Sequence, residues 1–96
     1  MVGGLAVKEP AADLAAAAAM LSAARDRPLR EGTVFFGEIG LLGEVRPVAQ
    51  SGARLREVQQ LGFERAVCST IDPGDRPDGL EILEVEDVGH LAEHCF

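Results

Sequence analysis

GEIGLLGEVRPV, residues 37–48, decides how the rest of the chain is read. Two short β-type runs, TVFFGEIG (33–40) and GEVRPV (43–48), face each other across Leu41-Leu42. Gly40 and Gly43 supply the positive φ or the close approach that a tight connection needs. The stretch therefore predicts a hairpin. The second strand runs into AQSGARLREVQQLGF (49–63), with no residue of obvious catalytic type at its end.

Working outward, the segment 49–63 reads as a helix. Ser51 is the expected N-cap, Leu55 and Val58 face inward, and Gly62-Phe63 is the terminating glycine with its hydrophobic contact. Upstream, EPAADLAAAAAMLSAARDRP (9–28) is a second helix, with Pro10 at a first helical position, Asp13 near the positive end of the dipole, and Pro28 as a stop. Leu14, Ala17, Ala18, Leu21 and Ala24 share one face, and the alanines let the helix lie close to a sheet. Before it, VGGLAV (2–7) is extended. Downstream come a strand at RAVCS (65–69), a long Asp/Pro/Gly loop at 70–79, a strand at 80–85, and a helix at EDVGHLAEHC (86–95) carrying Val88, Leu91, Ala92 and Cys95 at helical spacing. The order strand, helix, hairpin, helix, strand, strand, helix predicts an α+β fold, a mixed β-sheet with helices packed on one side.

Composition bounds the function. The 96 residues are 47% hydrophobic with no Trp or Tyr, enough for one domain whose core is Ala, Leu, Val, Ile and four Phe. A net charge of −7 argues against a general electrostatic grip on nucleic acid and leaves only local basic patches. Cys68 and Cys95 lack metal-ribbon spacing and read as thiols in a reducing cytoplasm. The apolar run 14–21 is too short to span a membrane and is preceded by acids, so a soluble, cytoplasmic protein is expected.

Four patterns suggest chemistry and give way on inspection. HLAEH (90–94) has the H-x-x-E-H form of a zinc peptidase, with His90 and His94 as ligands and Glu93 as base, but no third ligand is apparent and solvated histidines are the simpler reading. VGGLAVKEP lacks the G-K-[ST] of a phosphate loop. DPGDRPD, with Asp72, Asp75 and Asp78, lacks the glycine and final glutamate of a calcium loop. Glu38 and Glu44 form a carboxylate pair, better explained by ladder or surface pairing with Arg46. No Ser-His-Asp set is present, and neither a cofactor nor a metal is expected in this chain.

GEIGLLGEVRPV, EPAADLA and LGFERAV, together with the segments between them, closely resemble the C-terminal domain of RadA/Sms DNA-repair proteins, over nearly the whole chain. That domain has the fold of the Lon proteolytic domain, a two-layer sandwich like that of a ribosomal-protein domain. In active Lon-type peptidases a serine starts the helix after the first strand and a lysine follows the hairpin, a dyad in which a desolvated lysine takes the serine proton. On the matching positions stand Ala11 and Gly52. Neither can do the chemistry, and Lys8, the chain's only lysine, lies outside the lysine slot. The resemblance implies a non-enzymatic, partial Lon-like domain over residues 1–96, with the family's upstream strands, RecA-like ATPase and zinc motif absent. It further implies a homo-oligomeric scaffold that engages DNA through the full-length protein, with Arg46, Arg54 and Arg56 as the nucleic-acid contacts. The alternative is a peptidase-derived protein-interaction domain without nucleic-acid binding, favoured by the net charge. Where the family tends to carry a proline-lysine pair after the RAV strand, this chain has Cys68-Ser69-Thr70. The missing upstream strands are expected to leave a sheet edge open to pairing.

Overall fold

The computed structural model describes residues 10–95, so the extended segment expected at 2–7 lies outside the described residues. The elements are α1 (Asp13–Arg25), preceded by a 3-10 turn at Pro10–Ala12, β1 (Thr33–Phe35), β2 (Glu38–Ile39), β3 (Val45–Arg46), α2 (Ser51–Gln60), β4 (Arg65–Cys68), a 3-10 turn at Pro73–Asp75, β5 (Glu81–Glu84) and α3 (Val88–Cys95). No described helix is long and apolar enough to cross a membrane.

The expected mixed sheet divides in two. β1, β4 and β5 form a parallel sheet in the order β1-β4-β5, while β2 and β3 form a separate antiparallel hairpin. TVFFGEIG is thus one run in sequence and two strands in space. Its break falls at Gly37, whose N–H donates to the Ala11 carbonyl at 2.8 Å and whose carbonyl accepts from the Leu14 N–H at 3.0 Å. With both backbone groups taken by the start of α1, the chain leaves the sheet and turns to pair Glu38 with Arg46 and Ile39 with Val45. No side chain fits at Gly37, since a Cβ there falls 2.9 Å from Val45 Cγ1 and 3.4 Å from Leu14 Cδ2.

Helices on one side of the sheet is a second expectation that the structure corrects. Register aligns Val34, Ala66 and Ile82 in one row and Phe35, Val67 and Leu83 in the next, and successive rows point to opposite faces. The Phe35 row packs with Leu14, Ala18 and Leu91 from α1 and α3 and with Val45 of the hairpin. The Val34 row packs with Leu55 and Val58 of α2 and with Ile71 and Leu80 of the long loop. Both faces are covered, as a parallel sheet requires, and the near-continuous apolar runs VFF and AVC are its sequence signature.

Helix ends reflect local chemistry. α2 closes as read: the Gly62 N–H bonds the Gln59 carbonyl at 3.0 Å and the Phe63 N–H the Val58 carbonyl at 3.1 Å, with Gly62 at φ +98°. Its start differs, because Gln50 is the N-cap in a left-handed conformation and the Ser51 hydroxyl donates back to the Val48 carbonyl at 2.8 Å. In α1, Asp13 sits in the first turn as expected, and its carboxylate also accepts the Ile39 N–H at 3.1 Å, tying the helix to the hairpin.

Candidate functional site

The two positions that the Lon resemblance assigns to a dyad, Ala11 and Gly52, have different surroundings. Ala11 sits in the 3-10 turn before α1, 4% exposed, its carbonyl held by Gly37. Gly52 is the second residue of α2 and is buried. A Cβ at Gly52 falls 2.8 Å from Asp75 Oδ1, so the carboxylate of the loop occupies the side-chain space that a lysine needs. Beside it lies a cavity of about 780 Å³ between the start of α2 and the chain after β4, with Ser51, Arg56, Thr70, Asp72 and Asp75 in its wall. Ala11 is not among the lining residues. The cavity stands beyond the carboxyl end of a parallel strand, the place where open α/β sheets usually bind ligands. Its groups are hydroxyls, carboxylates and one guanidinium. They suit hydrogen bonding and ion pairing, and no lysine among residues 10–95 is available to activate Ser51.

The three arginines read as nucleic-acid contacts stand in different local settings. Arg46, on β3, donates from Nε and Nη2 to Glu44 Oε2 at 3.2 and 2.9 Å. Glu44 is held below the usual carboxylate range by its own backbone N–H and by Arg46. On α2, Arg54 donates to the Ala49 carbonyl at 3.2 Å, while Arg56 lines the large cavity. Two positions apart on a helix, Arg54 and Arg56 point to different sides.

The HLAEH histidines acquire a structural role. Asp87 Oδ1 accepts the His90 N–H at 2.7 Å, and His90 Nδ1 accepts the Glu86 N–H at 3.1 Å, a reciprocal cap on α3. With Nδ1 as acceptor the neutral ring carries its proton on Nε2. A metal on Nε2 would require a proton at Nδ1, pointed at another N–H, so the capping bond and ligation compete. The His94 ring packs edge-on against His90, centroids 4.4 Å apart. Among the described residues no group of three or more His, Cys, Asp or Glu side chains is arranged to hold a metal ion.

At the opposite end of the sheet, the row Thr33, Arg65 and Glu81 begins the three parallel strands. Arg65 donates to Glu81 Oε1 at 2.8 Å, which holds Glu81 below its ordinary range and raises Arg65. Above this row is a smaller cavity of about 290 Å³, floored by Phe35, Val67 and Leu83. The Thr33 hydroxyl is buried and makes no hydrogen bond. Burial pushes the Cys68 thiol up to about 12, with Glu84 adding to the effect, and burial also raises Cys95. Neither thiol has the low-pKa setting of a nucleophile.

Sequence reading missed Asp75 as the occupant of the Gly52 space and the small cavity altogether. Both depend on contacts between distant segments, and no local pattern announces them. Glu84 was missed too: its carboxylate accepts the Ile71 N–H at 2.9 Å and pairs with Arg76, clamping the long loop beside the large cavity.

Comparison with known proteins agrees with the motifs. The profile of a family described as "Subunit ChlI of Mg-chelatase" matches residues 3–72. "DNA repair protein RadA" of Rickettsia bellii is 52% identical over 97% of this chain, and the proteins of the same name from Escherichia coli and Pseudomonas aeruginosa are each 45% identical, over 90% and 100% of it. The chain spans about a fifth of the length of these curated relatives, 19% to 21%. With the family profile covering residues 3–72 and this homology running along nearly the whole chain, the chain belongs to the family described as subunit ChlI of Mg-chelatase, as a homologue of one segment of the RadA repair proteins.

Proposed function

We propose that the chain is a non-proteolytic, Lon-like assembly and DNA-engaging module of a RadA/Sms-type DNA repair and recombination protein. The observation that carries this reading is the identity of 45% to 52% with proteins named DNA repair protein RadA, along nine-tenths or more of the chain. The residues at the dyad positions support the non-proteolytic part: Ala11 has no nucleophile, and Gly52 has neither an amine nor room for one while Asp75 holds its place. Assembly and DNA contact are roles that need surfaces instead of reactive groups.

The mechanism this implies is electrostatic and local. Against a net charge of −7, DNA approaches only where arginines outnumber nearby acids. Arg56 and Arg54 on α2 and Arg46 on the hairpin supply phosphate contacts, and Arg46 must exchange Glu44 for phosphate to do so. Binding by one chain is therefore weak, and repetition of the module around an assembly multiplies it.

The test is a salt titration of affinity for single-stranded and branched DNA. The slope of log affinity against log salt should fall by about 1 for each arginine that contacts phosphate, on substitution to alanine. No affinity at low salt overturns the DNA part and leaves the second reading, a protein-interaction domain, which the acidic charge and the Arg46–Glu44 pair favour.

A further inference from the structure

The hairpin tip is the most exposed apolar feature among the described residues. Leu41 and Leu42 are 101% and 93% exposed, although the turn that carries them is tightly held. Gly40 and Glu44 close it through a 2.9 Å backbone bond, the Gly43 N–H returns to the Gly40 carbonyl at 3.0 Å with Gly43 at φ +84°, and the Leu42 N–H bonds Glu44 Oε1 at 3.1 Å. The tip is also braced from behind, where the Val45 N–H bonds the Glu86 carbonyl at 2.8 Å and the Val88 N–H the Gly43 carbonyl at 3.0 Å. A rigid mount with two leucines fully in water loses little entropy on docking and gains apolar burial.

The small cavity at the start of the parallel strands offers the matching half. Its floor of Phe35, Val67 and Leu83 is apolar, and Arg30 and Arg65 stand at its rim against Glu81. The strands that carry the leucine tip bear Glu38 and Glu44 against Arg46. With Arg46 paired to Glu44 and Arg65 paired to Glu81, the strands behind the tip carry one acid in excess, Glu38, and the cavity lining one base in excess, Arg30.

We propose that the Leu41-Leu42 tip of one chain docks into the Arg30- and Arg65-rimmed cavity of a second copy, a head-to-tail contact between unlike surfaces. The proposal rests on the assembly reading above and names its contact. A contact of this kind repeats from copy to copy, closing into a ring or extending as a filament according to its rotation. Its area places it in the small, weak class of interfaces, below about 1,200 Å².

The experiment uses the 96-residue chain, with solution mass measured by sedimentation across a concentration series. Two variants separate the halves: a tip variant, Leu41→Ser with Leu42→Ser, and a rim variant, Arg30→Glu. All three positions are exposed, and circular dichroism checks that the fold is kept. The tip variant should raise the dissociation constant of self-association about tenfold or more, from the loss of buried leucine surface. Each variant keeps one intact half, so mixing the two should give a two-chain complex that neither forms alone at the same concentration. A tip variant that assembles like the unaltered chain, or a mixture that gains nothing, overturns this contact while the assembly reading stands. An unaltered chain of 10.1 kDa at every concentration overturns both.

Discussion

The starts of α1 and α2 hold the two positions that the Lon resemblance assigns to a serine and a lysine, and they have taken opposite courses. At α1, Ala11 is sealed in: Gly37 bonds it through the backbone and lies against Leu14 and Val45 with no room for a single added carbon. At α2, Gly52 borders a cavity of about 780 Å³, and the space of its missing side chain is taken by a carboxylate from a loop. The first slot is part of the core. The second is buried beside an open cavity and filled by an acid where the resemblance places a lysine, so the two positions differ in what closes them, backbone packing at the first and a loop carboxylate at the second.

That contrast is easiest to break at the sealed end. Gly37→Ala forces a methyl group to within 2.9 Å of Val45 Cγ1 between two packed side chains, and should cost about 1–3 kcal/mol in denaturant unfolding. Gly52→Ala meets a single side chain, that of Asp75, with Oδ1 at 2.8 Å, Cγ at 3.1 Å and Cβ at 3.2 Å, and because that loop side chain borders a cavity into which it can swing, the cost should be less, about 1 kcal/mol. Asp75→Ala in the same chain should recover most of that loss, a coupling readable in a double-mutant cycle. Equal costs at the two glycines, or no coupling to Asp75, would remove the distinction between a sealed and an open slot.

Much of this was legible before the fold was seen. The packed face of α1 at Leu14, Ala17, Ala18 and Leu21, the Gly62 termination of α2 and the positions of β4, β5 and α3 come from spacing and turn chemistry, whereas Ala24, expected on the same face, is exposed in the last turn of α1. The split of TVFFGEIG was not legible, because what ends β1 is the backbone of Ala11 and Leu14 capturing Gly37 from outside the strand. Helices on both faces were in principle readable, since VFF and AVC are too uniformly apolar for a sheet covered on one side. Ser51 looked like an N-cap because its type fits, but the left-handed Gln50 shifts the helix start and turns that hydroxyl back to Val48. At the candidate site, the sequence supplied Ala11 and Gly52, while Asp75 entered only through the tertiary contact.

The two faces of the sheet should also differ toward thiol reagents. Cys68, fully buried under α2 with its thiol pushed up to about 12, should stay unmodified at neutral pH until the chain unfolds, while half-buried Cys95 reacts first. Because the folded value is raised, the stabilisation from keeping Cys68 protonated is complete below its ordinary 9.0 and is lost as pH climbs toward about 12. Alkaline unfolding should therefore soften in Cys68→Ser more than in Cys95→Ser. The reverse order of labelling would contradict the packing of α2 on the sheet.

The smallest effect is expected at the opposite end of the strands. Glu81 is depressed by Arg65, so its contribution is present above the ordinary 4.5 and disappears as pH falls through the folded value. Glu81→Gln should lower stability slightly at neutral pH and flatten the acid limb, leaving the region below the folded value unchanged, the modest return of an exposed pair.

Solution mass against concentration tests most directly whether this acidic chain is an assembly module. The account predicts that the mass of the 96-residue chain rises from 10.1 kDa to a discrete multiple as concentration increases. A mass that stays at 10.1 kDa from dilute solution to the limit of solubility would contradict it.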